Sequence, residues 1–156
     1  MQEGLYFEEY ADGWSHDTAT TLVTEEKIAS FVALMGFNTP TYTDPKYMKQ
    51  SYGGRMAPGV MVLGLAEGLV LDAGLTRRRG IFLVELTPKF KKPVYAGDTL
   101  VNRVRFKSKR LTSKTDRGIV VTEHEVVTGK GDVAIVYDAV RMIRTREFVE
   151  TAAQGE

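Results

Sequence analysis

One nearly uncharged segment, residues 58–74, restricts the folds open to this chain. Glu67 is the only charged residue between Pro58 and Leu71, and every other position in that stretch is apolar or glycine. Proline suits a first helical turn and Gly74 suits a stop, so this segment is predicted to be a helix. A helix that is apolar nearly all round is buried on most sides. Several strands are therefore expected to wrap it.

The sequence after this helix predicts those strands. Four segments are rich in apolar or β-branched residues, at 81–86, 99–106, 119–127 and 133–143. Turn-forming residues separate them, at 97–98, 113–118 and 129–132. A helix followed by about four antiparallel strands is an α+β pattern, with one sheet curled around a central helix.

The sequence before the apolar helix predicts a second helix and a long loop. Thr24 can cap a helix whose apolar residues recur at helical spacing until Gly36 ends it. Residues 37–55 contain two prolines and the pair Gly53-Gly54, and they lack a clean period. We predict a long, irregular, ordered loop there, and long loops inside compact domains are usually functional.

Size and composition exclude several classes of protein. The 156 residues suffice for one domain, with residues 147–156 predicted to form a loose polar tail. A net charge of +1 gives no global attraction to nucleic acid, and the longest uncharged apolar-rich run, 57–66, is too short to cross a membrane. The absence of cysteine excludes disulfides and thiolate sites and fits a cytoplasmic protein. With two histidines and no aspartate-rich loop, no metal site is predicted.

Glu67 has two possible interpretations. In the first, it occupies an edge of the helix, in contact with water or an arginine, which is the ordinary outcome for a carboxylate on an apolar element. In the second, it is a pocket carboxylate available for proton transfer, because buried carboxylates are costly and tend to mark functional sites. The sequence leaves both open.

Basic residues cluster on either side of the first predicted strand. One cluster is Arg77, Arg78 and Arg79, and the other surrounds Phe90 with Lys89, Lys91 and Lys92. Such clusters are usually solvated surface. Near a pocket they bind phosphate groups instead, arginine by forked contacts.

A longer motif resembles a known family. Residues 89–100, KFKKPVYAGDTL, resemble the signature of MaoC-like dehydratases, which include (R)-specific enoyl-CoA hydratases. Further matches occur in the family's order at residues 6–10, 24–36, 44–47 and 53–59, so the resemblance covers most of residues 6–145. It implies a hot-dog fold, a homodimer or an assembly of dimers joined edge to edge, and an acyl-CoA or acyl-carrier-protein thioester as substrate. No other cofactor is implied.

The resemblance also locates an altered active site. The family motif Gly-Asp-x-Asn-Pro-x-His aligns with residues 36–42, GFNTPTY, which puts Phe37 and Tyr42 at the positions of the catalytic aspartate and histidine. Gly59 remains in place as an expected oxyanion donor. Eight residues further on, Glu67 stands where hydratases commonly have a serine.

Three functions follow from the resemblance. The favoured one is a diverged hydratase or dehydratase, a hydro-lyase in which Glu67 transfers protons, Gly59 polarises the thioester, and Tyr42 and Asn38 orient water or the acyl chain. Carrier phosphates are then expected at the predicted cofactor-binding residues Arg77, Arg78, Lys89 and Lys92. The alternatives are a subunit that binds acyl thioesters without turnover, or a structural one, and, less favoured, an acyl-CoA thioesterase.

Overall fold

The computed structural model describes residues 3–148, which form four α-helices and six β-strands. The helices are α1 (Glu25–Met35), α2 (Pro40–Thr43), α3 (Pro45–Tyr52) and α4 (Gly59–Asp72). The strands are β1 (Ser15–Asp17), β2 (Thr21–Leu22), β3 (Gly80–Phe90), β4 (Thr99–Leu111), β5 (Arg117–Thr128) and β6 (Val133–Arg144). Of the predicted tail at 147–156, positions 149–156 lie outside the described residues.

All six strands join one antiparallel sheet. The strand order is β1-β4-β5-β6-β3, and β2 also pairs with β4. The four predicted strands are confirmed, and each extends past its predicted bounds, β4 by five residues. Alternate residues of β5 and β6 are buried, as expected for a sheet with one face on the core. The α+β prediction is therefore confirmed.

Helix α4 packs on the inner face of this sheet, but it is not buried all round. Its buried residues include Met61, Val62 and Ala66, which belong to the same core cluster as Leu100 of β4 and Ile135 of β6. On its other side Val60 and Leu71 are 51% and 63% exposed. The prediction of burial on most sides was wrong for the single chain, because the sheet covers only one side of the helix.

The first helix is confirmed with both of its caps, and the predicted loop is corrected. The side chain of Thr24 accepts a hydrogen bond from the N–H of Lys27, and Gly36 ends α1 in the left-handed conformation. Residues 37–55, however, contain α2 and α3. The reason is local: each begins with a proline, and the Asp44 carboxylate caps α3.

Across residues 3–148 no helix is both long and apolar enough to cross a lipid bilayer.

Candidate functional site

A cleft of about 270 Å³ opens at the N-terminal end of α4. We call it the Gly59 cleft, and the residues that line it include Tyr42, Gly59, Val62, Phe90, Lys91 and Lys92. The first N–H groups of a helix have no carbonyl one turn earlier, and the helix dipole places positive charge beside them. This end of α4 can therefore stabilise a carbonyl oxygen that gains negative charge.

Gly59 lets an aromatic ring cover the start of α4. A Cβ at this position would lie 3.0 Å from ring carbons of Phe90. The ring of Phe90 is 51% exposed, so it can move where a backbone neighbour would not. Glycine at position 59 permits this close approach, and a larger residue there would displace the ring.

The two residues that the resemblance aligns with a catalytic aspartate and histidine have different surroundings. Phe37 packs against the core, with ring centroids 5.4 Å from Phe31 and 5.7 Å from Tyr42. Tyr42 is half-buried and lines the Gly59 cleft. Asn38 is exposed, and its N–H donates to the carbonyl oxygen of Gly36. Of the residues predicted to orient water or the acyl chain, the structure places Tyr42 in the cleft and not Asn38.

Glu67 lies in a second cleft, of about 490 Å³, which we call the Glu67 cleft. It is lined by Glu67, Leu71 and Arg77, by Arg141, and by the first residues of β3. Eight helical residues place Glu67 about 12 Å along the axis and about 80° around it from Gly59. The Gly59 cleft extends the other way round the helix, to Val62. The two clefts thus open on different sides of α4, and the single chain does not bring Glu67 together with Tyr42.

Two strong donors hold the carboxylate of Glu67. The hydroxyl of Tyr137 donates to Oε1 at 2.7 Å, and Nη2 of Arg141 donates to Oε2 at 2.5 Å. The side chains of the ion pair are 11% exposed for Arg141 and 18% for Glu67. Both interpretations of the sequence are thus partly met: Glu67 pairs with an arginine and also lines a cleft.

A buried polar network continues behind Tyr137. The side-chain amide of Asn102 donates to the Tyr137 hydroxyl at 2.9 Å and to the carbonyl oxygen of Ala66 at 3.0 Å. Its Oδ1 is then left as an acceptor, 3.1 Å from Nδ1 of His124. The imidazole therefore carries its proton on Nδ1.

The other nitrogen of His124 is an acceptor and closes the network. Its Nε2 lies 2.8 Å from the hydroxyl of Thr122, which in turn accepts from Nη1 of Arg141 at 3.2 Å. Arg141 therefore touches both Glu67 and the far end of the chain of hydrogen bonds. The hydrogen bonds therefore form a closed ring. Arg141 donates in both directions around it, and the Glu67 carboxylate accepts from both sides.

Burial fixes the protonation of two members of this network. It lowers the pKa of His124 to about 3, and the positive charge of Arg141 acts in the same direction. Burial also raises the pKa of Tyr137 above its usual range, and the charge of Glu67 adds to the effect. Near neutral pH both groups are uncharged, and Tyr137 keeps the proton that it donates to Glu67.

The predicted phosphate-binding residues are divided between several places. Lys92 lines the Gly59 cleft, where it also pairs with Asp132 at 2.6 Å. Arg77 lines the Glu67 cleft. Arg78 is exposed and lies 3.7 Å from Glu3. Lys89 lies on β3 and lines neither cleft, whereas its neighbour Lys91 lines the Gly59 cleft.

Sequence reasoning missed the partners of Glu67. Tyr137 and Arg141 are inward-facing polar residues in a strand whose other inward residues are apolar, and this pattern was the available signal. Asn102 gives the same signal in β4. Within residues 3–148 no group of three or more His, Asp or Glu side chains is placed to hold a metal ion.

Comparison with known proteins identifies the family. A model described as the MaoC like domain matches residues 12–128. The chain belongs to the MaoC-like domain family. No curated protein matches the sequence significantly.

Solved structures agree with this assignment. A monoamine oxidase regulatory protein from Archaeoglobus fulgidus is 26% identical, with a TM-score of 0.84 over 92% of this chain and 97% of that one. A MaoC-like dehydratase from Rhodospirillum rubrum is 24% identical, with a TM-score of 0.83 over 93% and 100%. An (R)-hydratase from Pseudomonas aeruginosa is 20% identical, with a TM-score of 0.77 over 98% and 97%. The predicted hot-dog fold is confirmed.

Proposed function

We propose that this MaoC-like protein binds an acyl thioester in the Gly59 cleft and adds or removes water at its enoyl or 3-hydroxyacyl group. The observation that carries the proposal is the start of α4, which borders a cleft that is apolar apart from the Tyr42 hydroxyl and two lysines. A thioester carbonyl seated there accepts a hydrogen bond from the Gly59 N–H. Family membership and the structural neighbours support hydratase or dehydratase chemistry.

The carrier of the acyl group is expected at the basic side of the cleft. Lys91 and Lys92 line it, and the phosphates of CoA or of a carrier protein's phosphopantetheine are suitable anions for their ammonium groups. The Lys91 ammonium forms no ion pair with a carboxylate of residues 3–148, whereas Lys92 is paired with Asp132. Lys91 is therefore the better candidate for direct phosphate contact.

Proton transfer is assigned to Glu67 of a second copy of the chain in the expected edge-to-edge dimer, because within one chain Glu67 and Gly59 line different clefts. In hydration, the base takes a proton from water, the water oxygen bonds to the β-carbon, and the electron pair moves to the thioester oxygen beside Gly59. Protonation of the α-carbon then completes the addition, and dehydration is the reverse. Glu67 suits this exchange because Tyr137 and Arg141 already orient its carboxylate.

One observation favours a second candidate, thioester binding without turnover. None of the described residues that line the Gly59 cleft carries a carboxylate or an imidazole. A cleft in that condition binds a thioester but transfers protons poorly, since positioned acid–base groups contribute about 10² to 10⁴ in rate.

The test mixes the protein with short enoyl-CoAs and follows the loss of enoyl absorbance and the release of free thiol. We expect hydration without thiol release, and a fall of about 10² to 10⁴ in kcat for Glu67→Gln. Glu123→Gln is the matched control, because Glu123 is exposed on β5 away from both clefts. Binding without turnover supports the second candidate, and thiol release supports a thioesterase. Wild-type turnover in Glu67→Gln contradicts the assignment of Glu67.

A further inference from the structure

Asn102 is a polar residue at a core position of β4. It is fully buried, and the flanking residues on the same face of the strand, Leu100 and Val104, are buried and apolar. An amide is costly to bury unless its polar atoms find partners. An apolar residue would fill this position without that requirement, so packing alone does not account for an asparagine here.

The contacts of Asn102 fix the direction in which its amide faces. Its Nδ2 lies 3.0 Å from the carbonyl oxygen of Ala66 and 2.9 Å from the hydroxyl oxygen of Tyr137. A carbonyl oxygen only accepts hydrogen bonds, so the group that faces Ala66 is the NH2 and not the side-chain oxygen. The second N–H of this group points at Tyr137, whose hydroxyl oxygen accepts it.

This contact determines where Tyr137 places its own proton. A tyrosine hydroxyl has one proton, and burial raises the pKa of Tyr137 and keeps the proton on its oxygen near neutral pH. Because Asn102 approaches the hydroxyl as a donor, it does not compete for this proton with Glu67, whose Oε1 lies 2.7 Å from the same oxygen. An acceptor at position 102 would compete for it. The amide nitrogen of Asn102 therefore directs the Tyr137 proton to Glu67.

Asn102 also holds the helix next to Glu67. Ala66 precedes Glu67 in α4, so its hydrogen bond with Asn102 ties this turn of the helix to β4. We propose that Asn102 is a positioning residue for Glu67, which aims the Tyr137 proton at the carboxylate and fixes the helix one residue before it. The inference rests on the proposed function, in which Glu67 transfers protons. It adds a residue that acts on Glu67 through Tyr137 and Ala66.

His124 reports the orientation of the Asn102 amide without requiring turnover. The side-chain oxygen of Asn102 lies 3.1 Å from Nδ1 of His124, so this nitrogen carries the proton only when the NH2 faces Tyr137 and Ala66. The chain has two histidines, and His124→Asn identifies the signals of His124 in ¹⁵N NMR spectra. We expect a protonated Nδ1 and an unprotonated Nε2 in the wild-type protein. A proton on Nε2 instead would mean that the amide is reversed, and the proposal would be overturned.

Asn102→Asp tests the consequence for Glu67. Aspartate has the shape of asparagine but no N–H to donate, so its oxygens compete with Glu67 for the Tyr137 proton. We expect kcat to fall by about 10²-fold, the effect of a small misplacement of a catalytic group, while KM stays within about twofold. Asn102→Leu is the second variant if the aspartate prevents folding. It loses the hydrogen bond to Ala66 and should lower kcat in the same direction.

Two further variants separate positioning from a loss of stability. Thr145→Val removes a buried hydrogen bond, to the carbonyl oxygen of Thr115, from a side chain that lines neither cleft, and it should leave kcat and KM unchanged. Tyr137→Phe removes the hydroxyl through which Asn102 acts. Adding Asn102→Asp to Tyr137→Phe should therefore lower kcat by only about threefold or less, because the two changes break the same hydrogen bond.

Kinetic results can overturn the proposal in three ways: kcat is unchanged in the Asn102 variants, Thr145→Val lowers it equally, or the effects of Asn102→Asp and Tyr137→Phe multiply. A fall in kcat restricted to the Asn102 and Tyr137 variants, with Nδ1 of His124 protonated, supports it. If the wild-type protein lacks turnover, the proposed function fails, and the ¹⁵N measurement alone decides the orientation of Asn102.

Discussion

Replacing Arg141 with methionine should expose the energetic importance of the buried ion pair. The change removes the hydrogen bonds that Arg141 donates to Glu67 and Thr122. The carboxylate of Glu67, whose side chain is only 18% exposed, then has Tyr137 as its one remaining donor among these contacts. Breaking a buried pair from one side costs about 3 to 5 kcal/mol. We expect the lower end, about 3 kcal/mol, because Glu67 borders a cleft and keeps one donor.

The assay is urea unfolding at pH 7, together with thermal unfolding. A loss of about 3 kcal/mol should lower Tm by about 6 to 12 °C for a chain of this size. The double variant Glu67→Met with Arg141→Met should be more stable than the sum of the single changes predicts, because it leaves no unpaired charge. Lys92→Met breaks an exposed ion pair and is the control, with an expected change below about 1 kcal/mol. If Arg141→Met destabilises no more than this control, the reasoning is refuted.

Three further predictions concern the core and the cleft. His124 stays uncharged in the folded protein but accepts a proton in the unfolded chain as the pH falls. The free energy of unfolding should therefore decrease by about 3 kcal/mol between pH 7 and pH 4. In urea unfolding at several pH values, His124→Asn should lose this part of the pH dependence. Gly118→Ala should destabilise the folded protein by about 1 to 3 kcal/mol, because the added Cβ would lie 2.3 Å from the buried ring of Phe7. Gly64→Ala should stabilise it by about 0.5 to 1 kcal/mol, because the added Cβ meets no atom within 4 Å and alanine favours the helix. In calorimetry, Lys91→Gln should weaken the binding of an acyl-CoA about threefold or more, because it removes a cation from the phosphate side of the cleft. The same variant should leave the affinity for an acyl-pantetheine, which lacks the nucleotide phosphates, unchanged. Lys89→Gln should change neither affinity.

The main elements of the fold could be predicted because their periodicity is visible in the sequence. Helix α4 contains most of the longest uncharged apolar run, β4 alternates over residues 99–106, and β5 is rich in β-branched residues. Helices α2 and α3 were missed because two prolines and two glycines in residues 37–55 read as loop signals. The same prolines begin the two helices, so position within the turn decides their effect.

The site could be predicted only where it is local in sequence. Gly59 and Tyr42 were found through the family motif, and the structure places both in one cleft. The partners of Glu67 lie 70 and 74 residues away, in β6, and their contacts depend on strand register and on the packing of α4. A single sequence carries no direct signal for either quantity.

The claim that Gly59 polarises a bound thioester is open to direct spectroscopic measurement. Infrared difference spectra of an acyl-CoA labelled with ¹³C at the thioester carbonyl report the strength of the hydrogen bonds to that oxygen. We predict that the carbonyl stretch moves to lower frequency on binding, and that the shift is lost in Gly59→Pro with binding retained. A bound thioester whose carbonyl frequency equals its value in water, or an equal shift in both proteins, would contradict the account.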